Sequence, residues 1–239
     1  MCAHYEDASD INRLLAAIGL SYGEPEPFDQ GAEYDHHPTL YAKPKKQGDM
    51  WPRYPGRFIR RHLNADVGDE AVPELEVVAG RWGLISAHTK PGGIEAAAKL
   101  STYNARSEKV RTAFTYRHAW SKAQTCIIPA TAFYEPDWRS GKAVPTRFMR
   151  ADDEPLGIAG IWDRWRTPEG TWLESYTMPT INADEHDLMR DFHKPTDEKR
   201  MIVALPRGAF SAWLNCKSEH MMEFMQPFAA AQFVARPAS

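Results

Sequence analysis

The stretch Thr125-Cys-Ile-Ile-Pro-Ala-Thr-Ala-Phe-Tyr-Glu135 decides how the rest of the chain is interpreted. Its β-branched and aromatic residues predict a buried strand over residues 125–134, and this strand ends abruptly in a carboxylate. Partial burial at that position would raise the pKa of Glu135 and suit it to proton transfer. A solvated strand end is the competing interpretation of Glu135.

Further strand-like runs, separated by turn signals, cover residues 57–61, 75–85, 145–150, 156–165, 172–181 and 200–205. Ile11, Leu14, Leu15 and Ile18 recur at helical spacing and predict a helix over about residues 9–20. Other helices are expected over 184–192 and within 208–225, and residues 23–47 are expected to form a long connecting loop. The pattern predicts one α+β domain, residues 2–230, with a curled, mainly antiparallel, barrel-like sheet flanked by helices.

The amino-acid composition indicates a globular protein and argues against several classes of protein. The 239 residues are 43% hydrophobic and 11% aromatic, which suffices for a substantial core. No membrane span or secretory signal is recognisable, so we expect a cytoplasmic protein without a membrane partner, and a monomer. The three cysteines contain no CxxC pair, and neither a disulfide framework, a metal site nor a cofactor is indicated.

The charge distribution leaves room for a local nucleic-acid groove, although a net charge of −3 argues against coating by bulk electrostatics. Two basic segments stand out. The first combines arginines with aromatic residues, and the second is basic only: Arg53, Arg57, Arg60 and Arg61 with Trp51, Tyr54 and Phe58; then Arg106, Lys109, Arg111 and Arg117. Interleaved rings and guanidiniums suit single-stranded nucleic acid, whereas ordinary solvated faces are the alternative.

Cys2 follows the initiator Met1, and trimming of Met1 would leave a cysteine with a free α-amine. The amine has an ordinary pKa of about 7.7–8.0 and the thiol one of about 8.5, so both are nucleophiles near neutral pH. An aldehyde would form an imine with the nitrogen, and the sulfur would then close a five-membered thiazolidine. The alternative is that Cys2 is simply the second residue of the chain, and only residues further along decide between the two interpretations.

Two other segments carry candidate site residues. Asn104 lies in a polar cluster, where its amide can bind an amine or a sugar oxygen, and Arg106 in the same cluster is suited to phosphate. His193 follows Asp191-Phe192 and precedes Lys194-Pro195, which places an imidazole beside a chain reversal. Each of these signals is weak on its own.

Their order along the chain is distinctive: Met1-Cys2, Arg81-Trp82-Gly83-Leu84, Asn104-Ala105-Arg106-Ser107-Glu108, Cys126 to Glu135, Thr180-Ile181-Asn182-Ala183 and Asp191-Phe192-His193. In this order they resemble the SOS-response-associated peptidase (SRAP) family. The resemblance implies an exposed cysteine that crosslinks covalently to abasic sites in single-stranded DNA and shields the lesion. It also implies autoproteolysis that exposes Cys2, although removal of Met1 by an aminopeptidase would have the same result.

The resemblance assigns roles to individual residues. Cys2 would be the nucleophile, Asn104 would orient the amine and the opened sugar, Glu135 would move protons, and His193 would be the second acid or base. Arg106 would bind phosphate and Trp82 would stack beside the lesion. Arg53 and Arg111, which come from the two basic segments, are predicted as further DNA contacts.

The chain departs from the family pattern at several positions. Ala3 and His4 stand where Gly and Arg are usual, which removes a phosphate contact. Pro136 replaces the usual Trp after Glu135, the segment 194–201 is longer, and Trp51-Pro-Arg-Tyr-Pro55 replaces an Asn-containing motif. These differences affect the predicted DNA contacts more than the four reacting positions.

Three other functions remain open. An N-terminal-cysteine amidohydrolase would use the same terminus, with the Cys2 amine as base, but it would need an oxyanion hole that no segment matches. A non-catalytic single-strand-binding module would not need Cys2. A metal hydrolase built on His36, His37, His186 and His193 lacks a recognisable ligand spacing.

Overall fold

The computed structural model describes residues 2–8, 10–16 and 28–238. The strands, in chain order, are β1 (Tyr5–Asp7), β2 (Asp49–Met50), β3 (Pro55–Arg61), β4 (Leu75–Trp82), β5 (Asn104–Arg106), β6 (Thr125–Asp137), β7 (Val144–Arg150), β8 (Leu156–Arg166), β9 (Trp172–Asn182), β10 (Arg200–Ile202), β11 (Ala204–Leu205) and β12 (Phe233–Pro237). The α-helices are α1 (Ile11–Ala16), α2 (Gln30–His36), α3 (Ile94–Lys99), α4 (Phe114–Ser121) and α5 (Phe210–Leu214).

Five strands close into a barrel in the order β8-β9-β4-β3-β6, and β6 pairs back with β8. The contact between β4 and β9 is parallel, with Trp82 opposite Tyr176, whereas the other four contacts are antiparallel. The prediction of a single α+β domain with a curled, mainly antiparallel sheet is confirmed. The sheet continues past residue 230, because β12 pairs with β7.

Strand β6 belongs both to the barrel and to its extension. Its first part pairs with β8 from Thr125 to Ala130, and its last part pairs with β7 from Phe133 to Asp137. β1 pairs with the middle of β6, with Tyr5 opposite Phe133. Most of β6 is buried, as its apolar sequence predicts.

The predicted helices agree less well with the structure than the predicted strands. Of the predicted loop over 23–47, residues 23–27 lie outside the described residues, and residues 30–36 form α2, so for residues 30–36 the prediction is wrong. The Asp29 side chain caps α2 by accepting hydrogen bonds from the backbone nitrogens of Gly31 and Ala32, at 2.8 and 3.2 Å. The predicted N-terminal helix is present as α1, and its remaining residues, Ser9 and 17–20, lie outside the described residues.

The predicted helix over 184–192 is reduced to a 3₁₀ turn, Met189–Asp191. The C-terminal helical region contains α5 and the 3₁₀ turns Arg207–Ala209 and Met221–Phe224. In the part of the chain that the structure describes, every helix is too short or too polar to cross a membrane.

Close packing inside the barrel fixes where the N-terminal strand lies. The hydroxyl groups of Tyr5 and Tyr176 are hydrogen-bonded at 2.5 Å, and both side chains are fully buried. Gly56 lies against this pair, where a Cβ would overlap the Tyr176 hydroxyl and the Met50 methyl group. The absence of a side chain at Gly56 therefore lets β1 lie against the barrel, and Cys2 precedes this strand.

Candidate active site

Four segments that are far apart in sequence meet at one end of the barrel. Cys2 precedes β1, Asn104 begins β5, Glu135 lies in the extension of β6, and His193 follows the 3₁₀ turn Met189–Asp191. Their exposed fractions are 1%, 9%, 2% and 6%. The structure therefore brings together the four residues that the sequence singled out for chemistry, in a buried environment.

Backbone pairing holds Cys2 and Asn104 at this place. The Tyr134 nitrogen donates a hydrogen bond to the His4 carbonyl at 3.0 Å, which fixes the start of β1 beside β6. β5 runs parallel to β9, with Asn104 opposite Met178. The Asn104 amide nitrogen donates to the Cys2 carbonyl at 2.6 Å, so the asparagine directly orients the backbone of the cysteine.

The remaining groups of Asn104 differ in their hydrogen bonding. The Tyr116 hydroxyl donates to its backbone carbonyl at 3.0 Å. Its side-chain oxygen Oδ1 is buried and has no hydrogen-bond partner among residues 2–8, 10–16 and 28–238. A buried acceptor without a partner is costly, and here it lies on the side chain that holds the Cys2 backbone.

Glu135 and His193 form a buried pair with a defined proton arrangement. His193 Nδ1 lies 3.2 Å from Glu135 Oε2, and His193 Nε2 lies 2.8 Å from the Arg200 carbonyl oxygen. A carbonyl only accepts, so Nε2 carries a hydrogen, and in neutral His193 the Nδ1 atom is an acceptor. Burial raises the pKa of Glu135 to about 8 and lowers the pKa of His193 to about 4. Near neutral pH the Glu135 carboxyl group is therefore protonated and the imidazole beside it is neutral.

The Cys2 thiol is held in its protonated form. Burial, and next the charge of Glu135, raise its pKa to about 12. The thiol donates a hydrogen bond to the His4 carbonyl at 3.3 Å. The exposed cysteine that the family resemblance implied is thus not found, because the side chain is only 1% exposed in this chain, which carries Met1.

The backbone at His193 adopts a left-handed conformation, with φ of 65°. This is uncommon for a residue with a side chain, and it persists where the surroundings enforce it. The His193 nitrogen donates to the Pro136 carbonyl at 2.9 Å, and Lys199 Nζ donates to the His193 carbonyl at 3.1 Å. Lys199 lies in the longer segment 194–201, which therefore helps to hold the imidazole.

Arg200 anchors this segment, and no local sequence pattern indicates its role. It is 1% exposed, and its guanidinium binds Glu108 at 2.6 and 2.9 Å and Glu198 at 2.6 Å. The ion pair with Arg200 lowers the pKa of Glu108 to about 2. Glu108, which follows β5, is thus linked to Arg200 at the start of β10. The backbone carbonyl of the same Arg200 accepts the hydrogen bond from His193 Nε2.

The predicted DNA contacts are divided between core and surface. Trp82 is fully buried, packs edge-on against Tyr5 and Tyr103 at 4.8 and 5.6 Å, and donates to the Tyr103 carbonyl at 3.0 Å. The expectation that Trp82 stacks beside a lesion is wrong for this structure, because its ring is enclosed by core residues. Arg106 is half-buried and pairs with Glu198 at 2.7 Å, whereas Arg53 and Arg111 are exposed.

Two arginines of the first basic segment also lie inside the protein rather than on a DNA-facing surface. Arg57 binds Asp7 at 2.7 Å, and Arg60 bridges Glu76 and Glu174, both at 2.8 Å. Their exposed fractions are 8% and 3%. These arginines neutralise carboxylates that are buried or partly buried, and they are unavailable to phosphate.

Three aromatic rings stack beside the buried site. His4 lies between Trp51 and Tyr134, with ring centroids 4.3 and 4.0 Å apart and interplanar angles of 12° and 11°. In the sequence, Trp51 stood out as a member of a basic segment and of a stretch that departs from the family pattern, and His4 stood out only as such a departure. Their contact depends on strand pairing, so no local pattern could have revealed it.

The histidines of the metal hypothesis lie in separate places. His186 Nδ1 accepts from the backbone nitrogens of Leu188 and Met189, and its Nε2 bonds to the Phe228 carbonyl. His36 and His37 line a different pocket with Tyr41. Over the described ranges, no group of three or more His, Cys, Asp or Glu side chains is placed to hold a metal ion.

Comparison with known proteins identifies the family. The model of the SOS response associated peptidase (SRAP) family matches residues 1–239, and the chain belongs to this family. A crystal structure of a protein from Bordetella bronchiseptica is 46% identical and superposes with a TM-score of 0.82, covering 100% of both chains. One from Bacteroides thetaiotaomicron, 21% identical with a TM-score of 0.69, covers 100% of this chain and 92% of the other and shares the fold.

Curated relatives carry a common name. Abasic site processing protein YoqW of Bacillus subtilis is 32% identical over 154 residues, which are 63% of each chain. Abasic site processing protein HMCES of Gallus gallus is 26% identical over 181 residues, 68% of this chain and 50% of the other. The matched region thus spans between half and two thirds of these two relatives.

Proposed function

We propose that this protein processes abasic sites in single-stranded DNA by crosslinking to them through Cys2. The observation that carries the proposal is the buried cluster in which Asn104 holds the Cys2 backbone at 2.6 Å and Glu135 pairs with His193 at 3.2 Å. The names of the relatives support a substrate with an abasic site. In this proposal the cytoplasmic location and the monomeric state remain predictions.

The first step requires the free α-amine of Cys2, which removal of Met1 would release. The amine attacks the aldehyde carbon of the opened sugar and forms a carbinolamine. Asn104 Oδ1, a buried acceptor, would receive an amine hydrogen and so direct the nitrogen lone pair at the carbonyl carbon. Orientation is the main contribution of Asn104, because its amide has no proton to give up at neutral pH.

Glu135 supplies the proton for the second step. With its pKa raised to about 8, it is an acid at neutral pH and protonates the carbinolamine hydroxyl, which leaves as water and gives an iminium ion. The Glu135 carboxylate then takes the Cys2 thiol proton, and the sulfur adds to the iminium carbon to close the thiazolidine. The overall reaction joins amine, thiol and aldehyde with release of one water, and Glu135 ends protonated again.

His193 would set the state of Glu135. Its Nδ1 atom lies 3.2 Å from Glu135 Oε2 and, as the unprotonated nitrogen of a neutral imidazole, favours the protonated carboxyl group over the carboxylate. Its own pKa of about 4 keeps it neutral during the reaction. In this proposal Glu135 is the acid and base in direct contact with the reacting groups, and His193 positions it.

The decisive experiment mixes the Met1-free protein with single-stranded DNA containing one abasic site and follows adducts that survive heat and detergent. We expect an adduct without added reductant, and none with Cys2→Ala. Cys216→Ala is the matched control, because Cys216 is a partly exposed thiol outside the cluster. Equal crosslinking by Cys2→Ala would contradict the proposal and favour a non-catalytic single-strand-binding module.

Intact mass tests the processing of Met1. Self-cleavage by the Cys2 thiol predicts that Met1 is lost from the unaltered protein and retained in Cys2→Ala. Trimming by an aminopeptidase predicts loss in both, because alanine at the second position is also small. Retention of Met1 in the unaltered protein would contradict the proposed chemistry, since the nitrogen would remain an amide.

A further inference from the structure

The stack of Trp51, His4 and Tyr134 is a rigid platform, because each ring is held by a separate hydrogen bond. Asp49 binds His4 Nε2 through one oxygen and accepts from Trp51 Nε1 through the other at 3.0 Å. The Tyr134 hydroxyl donates to Glu6, which Arg147 binds at 2.6 and 2.9 Å. A single carboxylate therefore keeps the first two rings parallel, and an ion pair fixes the third.

The three stacked rings extend from the neighbourhood of the candidate active site to the protein surface. His4 is two residues from Cys2, and Tyr134 precedes Glu135 directly. At the other end Trp51 is 41% exposed, and within the described part of the chain His4 is the one ring that stacks on it. One face of the indole is thus covered by the stack, and a planar group placed on its other face would extend the stack outwards.

An exposed guanidinium lies on the same turn as Trp51. The Tyr54 nitrogen donates to the Trp51 carbonyl at 3.0 Å and closes a turn with Pro52 and Arg53 at its centre. Arg53 has φ of 71°, a conformation that favours glycine, yet a long basic side chain occupies it. Within the described residues Arg53 takes part in no ion pair, unlike the buried Arg57 and Arg60.

We propose that the outer face of Trp51 is the binding site for the unpaired base next to the abasic residue, with Arg53 on the adjoining phosphate. This inference rests on the proposed function, and it moves the stacking role from the buried Trp82 to Trp51. An abasic site leaves its neighbouring base without one stacking partner, and an indole replaces that partner whatever the base is. Arg53 and Trp51 together match the alternation of charge and ring along a single strand.

The test measures non-covalent binding, so that it does not depend on the crosslink. Single-stranded DNA with one tetrahydrofuran, an abasic analogue without an aldehyde, is titrated by fluorescence anisotropy. Trp51→Ala should weaken binding about tenfold, which is the usual size of one base-stacking contact. Trp51→Phe should recover most of the loss. Trp172→Ala is the matched control, because Trp172 is 47% exposed and lies against Arg164, so this variant should bind normally.

A second abasic analogue in the DNA identifies the partner of Trp51. Replacing the base on the contacted side of the lesion should weaken binding to the unaltered protein and make Trp51→Ala harmless, because the stacking partner has gone. Replacing the base on the other side should leave the tenfold effect of Trp51→Ala in place. An unchanged affinity of Trp51→Ala, or the same loss with either neighbouring base removed, would overturn the inference.

Failure of the proposed function would give a different pattern. If no adduct forms with natural abasic DNA, but Trp51→Ala still shows its base-dependent loss on the analogue, the platform stands and the chemistry fails. If adducts form and Trp51→Ala binds the analogue as tightly as the unaltered protein does, the chemistry stands and the platform fails. Thermal melting of Trp51→Ala and Trp51→Phe verifies that both variants are folded.

Discussion

The buried cluster and the ring platform meet at residues 2–4, but they are built on opposite principles. In the cluster, burial sets the chemistry, because it holds Glu135 protonated and His193 neutral near neutral pH. On the platform, Trp51 is half in solvent, and hydrogen bonds to Asp49 and Glu6 set the geometry. The buried cluster offers the dry site that the proposed chemistry needs, and the platform offers the open face that the proposed recognition needs.

The two regions also differ in how the surrounding structure holds a strained backbone conformation. Both contain a residue with a side chain in the left-handed conformation, His193 in the cluster and Arg53 beside the platform. At His193 the carbonyl and nitrogen are held by Lys199 and Pro136, so the strain is enforced from several sides. At Arg53 the side chain is exposed, and a glycine would fit the turn better. The following predictions test this separation, starting with the largest effect.

Glu135→Gln should slow adduct formation on the order of 100-fold or more, because the amide cannot donate a proton to the leaving hydroxyl. Non-covalent binding to the tetrahydrofuran DNA should change little, since Glu135 is buried. Single-turnover crosslinking rates and anisotropy measure the two quantities separately. In the unaltered protein the rate should fall as pH rises through about 8, and the variant should lack this limb. An alkaline fall that survives in Glu135→Gln would exclude Glu135 as the acid.

Glu135→Gln should also stabilise the fold at alkaline pH. The folded pKa of Glu135, about 8, lies above its ordinary value, so its contribution to stability is complete at acidic pH and is lost as pH rises through about 8. Glutamine mimics the protonated acid and has no such loss. At pH 8 the free energy of unfolding of the variant should be higher than that of the unaltered chain by about 2 kcal/mol. This difference should become smaller towards pH 4.5.

His193→Asn should reveal the opposite pH dependence. The folded pKa of His193, about 4, is below its ordinary value, so its contribution is present above pH 6.5 and is lost as pH falls through about 4. Chemical denaturation at pH 7 and pH 4.5 should show a steeper loss for the unaltered chain than for the variant. Parallel losses in the two proteins would mean that the pKa of His193 is the same in the folded and the unfolded chain.

Glu135→Gln and His193→Asn together test whether the cluster is shielded from solvent and salt. If burial is the dominant cause of both shifts, raising the salt concentration should leave these pH dependences nearly unchanged, because ions screen buried groups weakly. Binding through the platform and its arginine should by contrast weaken steeply with salt.

Arg53→Gly should improve stability and weaken DNA binding at the same time. Removing a side chain from the left-handed conformation relieves about 1–2 kcal/mol, and the freer unfolded chain offsets about 0.5–1 kcal/mol of that gain. The melting temperature should rise by about 2 °C. Arg53→Ala is the matched control, because it loses the same guanidinium and keeps the strain. Both variants should bind more weakly, and a rise in melting temperature for both would refute the strain argument.

Arg106→Ala should have the smallest effect. Its guanidinium pairs with Glu198 at 2.7 Å on a half-exposed surface, and such pairs add little stability. Loss of one phosphate contact should lower the slope of log affinity against log salt by about 0.7 for single-stranded DNA. Binding titrations at several salt concentrations measure the slope. An unchanged slope would remove Arg106 from the DNA contacts and leave Arg53 and Arg111 as the exposed candidates.

The strands and the four-residue cluster could be predicted from the sequence, because both leave local marks. Residues 125–134 are apolar and β-branched on both faces, and this is the pattern of a doubly buried strand such as β6. The order of Cys2, Asn104, Glu135 and His193 along the chain carried the family resemblance, and the fold brings them together. The close approach of His193 to Glu135 and the burial that shifts both pKa values arise only from packing.

The errors have physical causes as well. The sequence of α2, Gln30–His36, contains a glycine and a single buried residue, so it lacks an apolar face that a pattern could detect. Trp82 was assigned to DNA because a tryptophan in a motif can equally well stack on a base or fill a core. The platform escaped prediction because its rings come from positions 4, 51 and 134, which only the pairing of β1 with β2 and β6 brings together.

Strand β6 is part of the barrel, and its extension carries Glu135, the proposed acid. The Trp213 indole of α5 donates to the carbonyl of Cys126, near the start of this strand, at 2.8 Å. The position of Glu135 therefore depends on packing at the opposite end of the same strand. If heating loosens the contact between α5 and β6, Glu135 should lose its alignment before the whole protein unfolds. The proposed crosslinking activity should therefore be lost at a lower temperature than the folded structure.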